Sequence, residues 1–206
     1  MNPNKHLIID YLPFEFSRAS LTEGIDTDPN KPFMVKGVLQ RADAKNQNGR
    51  VYPYEMLVKE SQKYANEFIK ERRAMGELDH PETEVVNLKN VSHNIVEMHW
   101  EGKDLIGTLE VLPTPSGNIL RKLFEANIRL GISSRGMGTI QKNIKEGVDV
   151  DVVQDDYNLI CFDMVSSPST KGAFMYSLNE GVVHDSVSNK WVAAESIIRE
   201  FLSTVG

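Results

Sequence analysis

The stretch Ser92–Leu112, SHNIVEMHWEGKDLIGTLEVL, decides the fold class of this chain. Its first half alternates, so that apolar Val96 and Trp100 share one face of a strand and mostly polar residues take the other. A second strand-like segment, Asp104–Leu112, follows after a short connection that contains Gly102. Because short connections of this kind join antiparallel neighbours, the stretch predicts a β-hairpin.

Further strand-like segments flank this hairpin, and most of them are predicted to pair as hairpins with the strand next to them along the chain. They are residues 33–40, 131–141, 148–153 and 157–165, with another hairpin predicted within 173–184. Helices are predicted to start at Pro53 and to cover Gly117–Arg129 and Ala193–Val205. Since strands and helices do not alternate, the pattern favours an α+β fold with a closed or nearly closed antiparallel sheet over a doubly wound one.

Composition narrows the function classes. The chain has 206 residues, of which 40% are hydrophobic, and this suits one soluble domain with tails. The net charge of −6 argues against nucleic acid as the main partner. No apolar run is long enough for a membrane span, and the N-terminus lacks the layout of a secretory signal. The single cysteine, Cys161, points to a reducing compartment.

Two glycine-containing stretches are candidates for chemistry. In Gly76–Pro81 (GELDHP), His80 has the chemistry of a general base, although an ordinary loop histidine has the same pattern. Gly131–Gly138 (GISSRGMG) offers Ser133 or Ser134 as a nucleophile beside exposed backbone N–H groups. The spacing fits neither the Gly-x-Ser-x-Gly elbow nor a phosphate loop, and a glycine-rich strand with bulges remains open.

A carboxylate within an apolar strand is the third candidate. Asp163 lies inside Leu159–Val165 (LICFDMV), and burying it requires a partner such as a histidine N–H or an arginine. A plain ion pair or an edge-exposed position is the structural alternative.

Two rival sites are weaker. His93, Glu97 and His99 fall mostly on one strand face and, with His80, are candidate metal ligands, but no compact zinc spacing is present and solvated polar faces are common. A hydrolase that uses Cys161 is disfavoured because an apolar strand raises the pKa of a thiol. We therefore predict no metal and no cofactor.

The GELDHP and GISSRGMG stretches, Asp163 followed by Pro168, and the stretch Asn46–Pro53 together resemble the prohead core proteases of myovirus-type tailed phages. The resemblance runs from about Val35 to Met175. It implies a fold similar to the herpesvirus maturational proteases, which is a closed antiparallel β-barrel surrounded by helices. It also implies a serine endopeptidase inside the prohead, in the host cytoplasm, that cuts scaffold or core proteins, the major capsid protein and itself.

The resemblance also implies the roles of the site residues. His80 is the expected general base, and Asp163 is the residue expected to orient it. Ser134 is the expected nucleophile, with Ser133 as the alternative, because the Ser-x-Gly pattern of the family starts at Ser134. The backbone N–H of Arg135 is the candidate oxyanion donor. The alternative function is a non-enzymatic, scaffold-associated interaction protein of the prohead core, and a homo-oligomer is a candidate assembly in either case.

The family tends to cut after Glu in the pattern Leu/Ile-x-Glu before a small residue. Four strings fit, and three of them give the self-cleavage candidates Glu23, Glu146 and Glu180, whereas Leu123–Ala126 falls in a predicted helix and should resist cleavage. These sites suggest an N-terminal arm of residues 1–31, a protease domain of 32–180 and a C-terminal segment of 181–206 with a helix. Both flanking segments are candidates for removal.

Overall fold

The computed structural model describes residues 5–11, 32–46, 48–79, 81, 83–126, 128, 130–145, 148–166 and 174–177. This part of the chain is mostly β-structure with few helices. Neither of its two α-helices is long and apolar enough to cross a membrane. Its elements are β1 (His6–Tyr11), β2 (Phe33–Arg41), β3 (Arg50–Val51), α1 (Tyr54–Tyr64), a π-helical segment (Ala65–Ile69), β4 (Met75–Glu77), β5 (Val91–Glu101), β6 (Asp104–Val111), α2 (Pro115–Glu125), β7 (Leu130–Gly138), β8 (Ile140–Lys145), β9 (Val148–Val153), β10 (Asn158–Val165) and β11 (Phe174–Ser177).

The larger sheet has the strand order β1-β7-β11-β2-β6-β5-β4, and β10 also pairs with β7. Its strand pairs are antiparallel. Leu78, directly after β4, forms an isolated parallel bridge with Met164 of β10. The smaller sheet has the order β3-β9-β8. The predicted hairpin is confirmed as β5 and β6, with Gly102 at φ +61° in the turn.

The relation between β9 and β10 differs from the expectation that strands adjacent along the chain also pair. β9 pairs with β8 and β3, whereas β10 pairs with β7 in the larger sheet. The physical reason lies in composition. The β9 sequence VDVDVV alternates and suits a sheet with one solvated face, but LICFDMV is apolar on both faces and must be covered on both.

Part of the predicted N-terminal arm belongs to the sheet. β1 pairs with β7 over its whole length, and Ile8 is completely buried in the hydrophobic core. A strand of six residues is too short for its periodicity to identify it in the sequence. Residues 12–31 and the predicted helix Ala193–Val205 lie outside the described residues.

Both described helices pack on the sheets with one apolar face. Helix α1 begins directly after Pro53, as predicted, and buries Leu57 and Tyr64. In α2 the hydroxyl oxygen of Thr114 accepts a hydrogen bond from the Gly117 N–H at 2.9 Å, which caps the helix and sets its start at Pro115. The core between helices and strands includes Ile95, Leu109, Ile132, Phe162 and Met164.

Candidate functional site

The register of β7 decides which residues can act with the serine pair. Ser133 lies opposite Asp163 of β10, and Ser134 lies opposite Phe162. Directly opposed residues in an antiparallel pair project from the same face of the sheet. Asp163 therefore shares a face with Ser133, while Ser134 projects from the other face with Phe162, which is part of the hydrophobic core.

The register thus puts Ser134, the expected nucleophile, and Asp163, the residue expected to orient His80, on opposite faces of the sheet. A family-like pattern, Ser-x-Gly, favoured Ser134 in the sequence, but alternation along a strand separates neighbouring side chains onto opposite faces. Ser133, Ser134 and Asp163 are all completely buried. On its other edge β7 pairs with β1, where Tyr11 lies opposite Ser133 and Asp10 opposite Ser134.

A buried ion-pair cluster lies on the Ser133 face. The guanidinium of Arg135 contacts Asp163, with Nε 2.9 Å from Oδ2 and Nη2 donating to Oδ1 at 3.2 Å. Nη2 also donates to Glu77 Oε1 at 2.8 Å. The backbone N–H of Glu77 in turn donates to Asp163 Oδ1 at 3.0 Å. We call Glu77, Arg135 and Asp163 the buried charge cluster, since all three side chains have 0% exposure.

The cluster supplies the partner that Asp163 requires, and that partner is an arginine. The sequence indicated a role only for the backbone N–H of Arg135, but the structure shows that its side chain also forms contacts. The side chain of Arg135 is directed to the two carboxylates, and its backbone lies in a strand paired with Ile9 on one side and with Cys161 on the other. The role of its N–H as an oxyanion donor stays a prediction.

His80 lies outside the described residues, but the chain on both sides of it is fixed close to the cluster. The Asp79 N–H donates to the carbonyl of Met164 at 2.8 Å. Arg135 Nη1 donates to the carbonyl of Thr83 at 2.7 Å. The Asn87 N–H donates to Glu77 Oε1 at 3.0 Å. Asp79, Thr83 and Asn87, which flank His80 in the sequence, are therefore held close to the buried ion pairs.

Gly76, the first residue of the GELDHP stretch, is required by a close approach of strands. A Cβ atom at this position would overlap with the carbonyl oxygen of Phe162 and with the ring of His93. His93 Nε2 lies 3.0 Å from that same carbonyl oxygen, and Nδ1 lies 2.9 Å from the hydroxyl of Ser92. Since a carbonyl only accepts, Nε2 carries the proton and Nδ1 accepts from the serine.

The neutral state of His93 follows from its burial. Burial lowers the pKa of His93 to about 4, although the negative charge of Asp163 and the hydrogen bond to the Phe162 carbonyl act in the opposite direction. The ring connects β5 to β10 without a charge. His93 thus connects the two strands, β5 and β10, between which β4 lies.

The rival sites find no support among the described residues. His93 is buried against Phe162, Glu97 is exposed beyond a bulge in β5, and His99 Nε2 lies 2.9 Å from Glu101 Oε1. The part of the chain that the structure describes holds no group of three or more His, Cys, Asp or Glu side chains able to bind a metal ion. Burial raises the pKa of the Cys161 thiol well above its ordinary value, and the charge of Asp163 raises it further.

Sequence reasoning missed the contacts of the stretch Asn46–Pro53. Asn48 Nδ2 and Arg50 Nη1 both donate to the carbonyl of Ile9 in β1, at 3.3 and 3.0 Å. Tyr52 packs edge-on against Tyr157, with ring centroids 5.5 Å apart. The family resemblance includes this stretch but implies no role for it. In the structure it is hydrogen-bonded to β1, the strand that pairs with β7.

The four glutamates of the cleavage pattern divide into two groups. Glu23, Glu146 and Glu180 lie outside the described residues. Glu125 lies in the last turn of α2, as expected for the string predicted to resist cleavage, and it accepts hydrogen bonds from Arg121 and Lys122. A helical conformation keeps this peptide bond from adopting the extended form that proteases bind.

Comparisons with known proteins show which family this chain is similar to. The family model described as prohead core protein serine protease matches residues 3–183. A relative from Enterobacteria phage T4, the prohead core protein protease, is 31% identical over 173 residues, which cover 82% of this chain and 77% of the relative. The structure of the bacteriophage T4 capsid assembly protease, gp21, superposes with a TM-score of 0.68 at 28% identity, covering 80% of this chain and 99% of that chain.

Proposed function

Because the chain belongs to the prohead core protein serine protease family, we propose that it is a serine endopeptidase that cleaves phage scaffold or core proteins and the major capsid protein during capsid maturation. Its place of action is the interior of the viral prohead, within the host cytoplasm. Cleavage after Glu and self-cleavage at Glu23, Glu146 and Glu180 are part of the proposal. They rest on the strings of the pattern in the sequence.

Ser133 is the nucleophile in this proposal, and His80 is its general base. The observation that carries the assignment is the shared face. Ser133 lies opposite Asp163, and Arg135 on the same face reaches the carbonyl of Thr83, three residues after His80. Ser134 is the competing assignment, but its face is the one that contributes Phe162 to the hydrophobic core.

Asp163 is the proposed third member of the triad. It orients His80 and stabilises the imidazolium that forms when Ser133 loses its proton. Contacts from Arg135 to both carboxylate oxygens favour the ionised form of Asp163 despite complete burial. The tetrahedral intermediate then forms on the peptide carbonyl carbon, with backbone N–H groups such as that of Arg135 holding the oxyanion.

The larger sheet supports a closed barrel. From β7 the pairing runs through β11, β2, β6, β5 and β4. The bridge between Leu78 and Met164 connects the end of β4 to β10, which pairs with β7 again. We take this ring of pairings as a barrel in which β10 lies between the serine strand β7 and β4, the strand that contains the start of the GELDHP stretch.

The position of β1 supports the proposal that the N-terminal arm, residues 1–31, is removed by cleavage. The strand His6–Tyr11 belongs to the segment 1–31 and covers the edge of β7 at the serine pair. A substrate in extended conformation cannot pair with that edge while β1 occupies it. A cut after Glu23 would sever β1 from the rest of the domain.

The test is self-processing measured by intact mass spectrometry. The full chain, Ser133→Ala and Ser134→Ala are each incubated at high concentration, and the two variants serve as matched controls for one another. We expect truncated products from the wild type and from Ser134→Ala, and an intact mass for Ser133→Ala. An unprocessed wild type that also leaves a capsid-protein peptide with Leu-x-Glu uncut would refute the protease function. Loss of processing in Ser134→Ala alone would exchange the roles of the two serines.

A further inference from the structure

The strand β1 lies along the edge of β7 in the way an extended peptide lies along a sheet edge that binds it. The pairing is antiparallel and continuous, from His6 opposite Gly138 to Tyr11 opposite Ser133. The register therefore places the peptide bond between Asp10 and Tyr11 beside the serine pair. Addition of a strand to a sheet edge is a common mode of peptide recognition, in which main-chain hydrogen bonds give affinity and side-chain pockets give specificity.

The sequence of β1 at this point resembles the cleavage pattern of the proposed function. The pattern has Leu or Ile, any residue, Glu and a small residue, and β1 has Ile8-Ile9-Asp10-Tyr11. The apolar and the acidic residue thus have the same spacing as in the pattern. Both departures act against cleavage, because Asp is one methylene shorter than Glu and a tyrosine replaces the small residue. The strand therefore has the character of a bound peptide that is not cut.

Ile8 fills an apolar pocket for which two glycines of the serine strand leave room. Its side chain is completely buried, and the residue lies opposite Gly136. A Cβ atom at Gly136 would lie 2.5 Å from the ring of Tyr157, and one at Gly138 would lie 3.4 Å from Ile8 Cδ1. The pocket between β7 and Tyr157 therefore accepts a branched apolar side chain, which is what the first position of the cleavage pattern offers.

Polar side chains hold the backbone of β1 just before the acidic position. Asn48 Nδ2 and Arg50 Nη1 donate to the carbonyl of Ile9 at 3.3 and 3.0 Å. Lys5 fixes the start of the strand, because its Nζ donates to the carbonyl of Asp156 at 2.8 Å. A main-chain carbonyl is present in every peptide, so another extended chain can accept the hydrogen bonds of Asn48 and Arg50 in the same way.

We propose that β1 occupies the substrate groove of the protease as an internal mimic of the substrate, with Ile8 in the pocket for Leu or Ile and Asp10 in the position of the Glu. The groove consists of the edge of β7, the Ile8 pocket and the side chains of Asn48 and Arg50. This inference rests on the proposed function, and it adds the peptide-binding site and its regulation. It holds for either serine as the nucleophile. A substrate must displace β1, so the intact chain is inhibited until the arm leaves.

The first experiment converts the mimic into a substrate. In the full chain, Asp10→Glu combined with Tyr11→Ala gives β1 the complete cleavage pattern, and intact mass spectrometry should show a new product that begins at residue 11. The rate of this cut should not depend on chain concentration, because the string already lies in the groove. Met98→Ala is the matched control, since it completes the same pattern after Ile95–Glu97 in β5, which pairs with β6 and β4. We expect no cut after Glu97.

The second experiment does not depend on activity. It measures binding of a fluorescently labelled peptide with the sequence of residues 19–28, which contains one of the cleavage strings, to the full chain in the Ser133→Ala background. Ile8→Ala weakens the hold of β1 on the groove, so the apparent Kd of the peptide should fall at least about 10-fold. Ile95→Ala is the matched control, because Ile95 is an equally buried core residue of β5 and its loss leaves the groove occupied. Ile8→Val and Ile95→Val give the same comparison at a smaller cost in stability.

The outcomes separate the groove from the protease function. An apparent Kd that is unchanged or higher in Ile8→Ala, or that falls equally in Ile95→Ala, would overturn the inference. So would a chain with the completed pattern in β1 that cuts a Leu-x-Glu peptide but not its own β1, or that cuts β1 only at high chain concentration. A chain that cuts neither itself nor the peptide, while Ile8→Ala still tightens peptide binding, would refute the protease function and leave the peptide groove in place.

Discussion

Gly76→Ala is a substitution for which the structure predicts a marked loss of stability. The added Cβ would overlap with a backbone oxygen, that of Phe162, and with the ring of His93. A backbone atom cannot rotate away, so β4 must separate from β10. Overpacking of this kind costs about 1 to 3 kcal/mol. Breaking the hydrogen bond from His93 to Phe162 leaves buried polar groups unsatisfied, at a further cost of about 1 to 3 kcal/mol.

The sum is about 4 kcal/mol, which corresponds to a fall in Tm of about 8 to 16 °C for a chain of this size. The assay is thermal and urea unfolding in the Ser133→Ala background, which prevents self-cleavage. Gly102→Ala is the matched control, because φ is +61° there and nothing lies within 4 Å of the added Cβ. Its cost is conformational and about 1 kcal/mol. If Gly76→Ala destabilises the protein no more than Gly102→Ala does, β4 and β10 do not approach each other as closely as the structure shows.

Three further predictions concern buried and helical groups. The pKa of His93 is about 4 in the folded protein and 6.5 as the reference value, so the unfolded chain binds protons more readily between these values. Stability should therefore fall by about 2 kcal/mol from pH 7 to pH 5, measured by urea unfolding of wild type against His93→Gln, in which the fall should shrink. Cys161 should not react with a thiol reagent until the protein is unfolded, and rapid labelling of the native chain would contradict its burial. No native product should end at Glu125, whereas urea should allow that cut, as product masses will report.

Sequence patterns correctly predicted those strands and helices that are determined by neighbouring residues. Alternation around Trp100 and the turn at Gly102 define the β5–β6 hairpin, and Pro53 sets the start of α1. The need of Asp163 for a cationic or N–H partner also follows from its neighbours alone, since a carboxylate in an apolar strand must be compensated. In each case the information lies within about ten residues of the feature.

Local sequence patterns could not predict the buried charge cluster, because its three residues are far apart in the sequence. Arg135 is 58 residues from Glu77 and 28 from Asp163, and only the strand register brings them together. Glu77 has the appearance of an ordinary charged residue next to a loop. The carbonyl of Thr83 carries no sequence signal at all. A partner for Asp163 was predictable, but its identity was not.

The serine pair shows why register decides chemistry in a strand. A shift of one residue moves a side chain to the other face of a sheet, so neighbouring serines cannot have the same surroundings. On the Ser134 face a Cβ at Gly136 would lie 2.5 Å from the ring of Tyr157, so this glycine is there for packing. The same strand therefore packs the core with one face and carries the charges with the other. Substitution of Ser134 should accordingly act mainly on stability, and substitution of Ser133 on cleavage, which is the reverse of what the Ser-x-Gly pattern alone predicts.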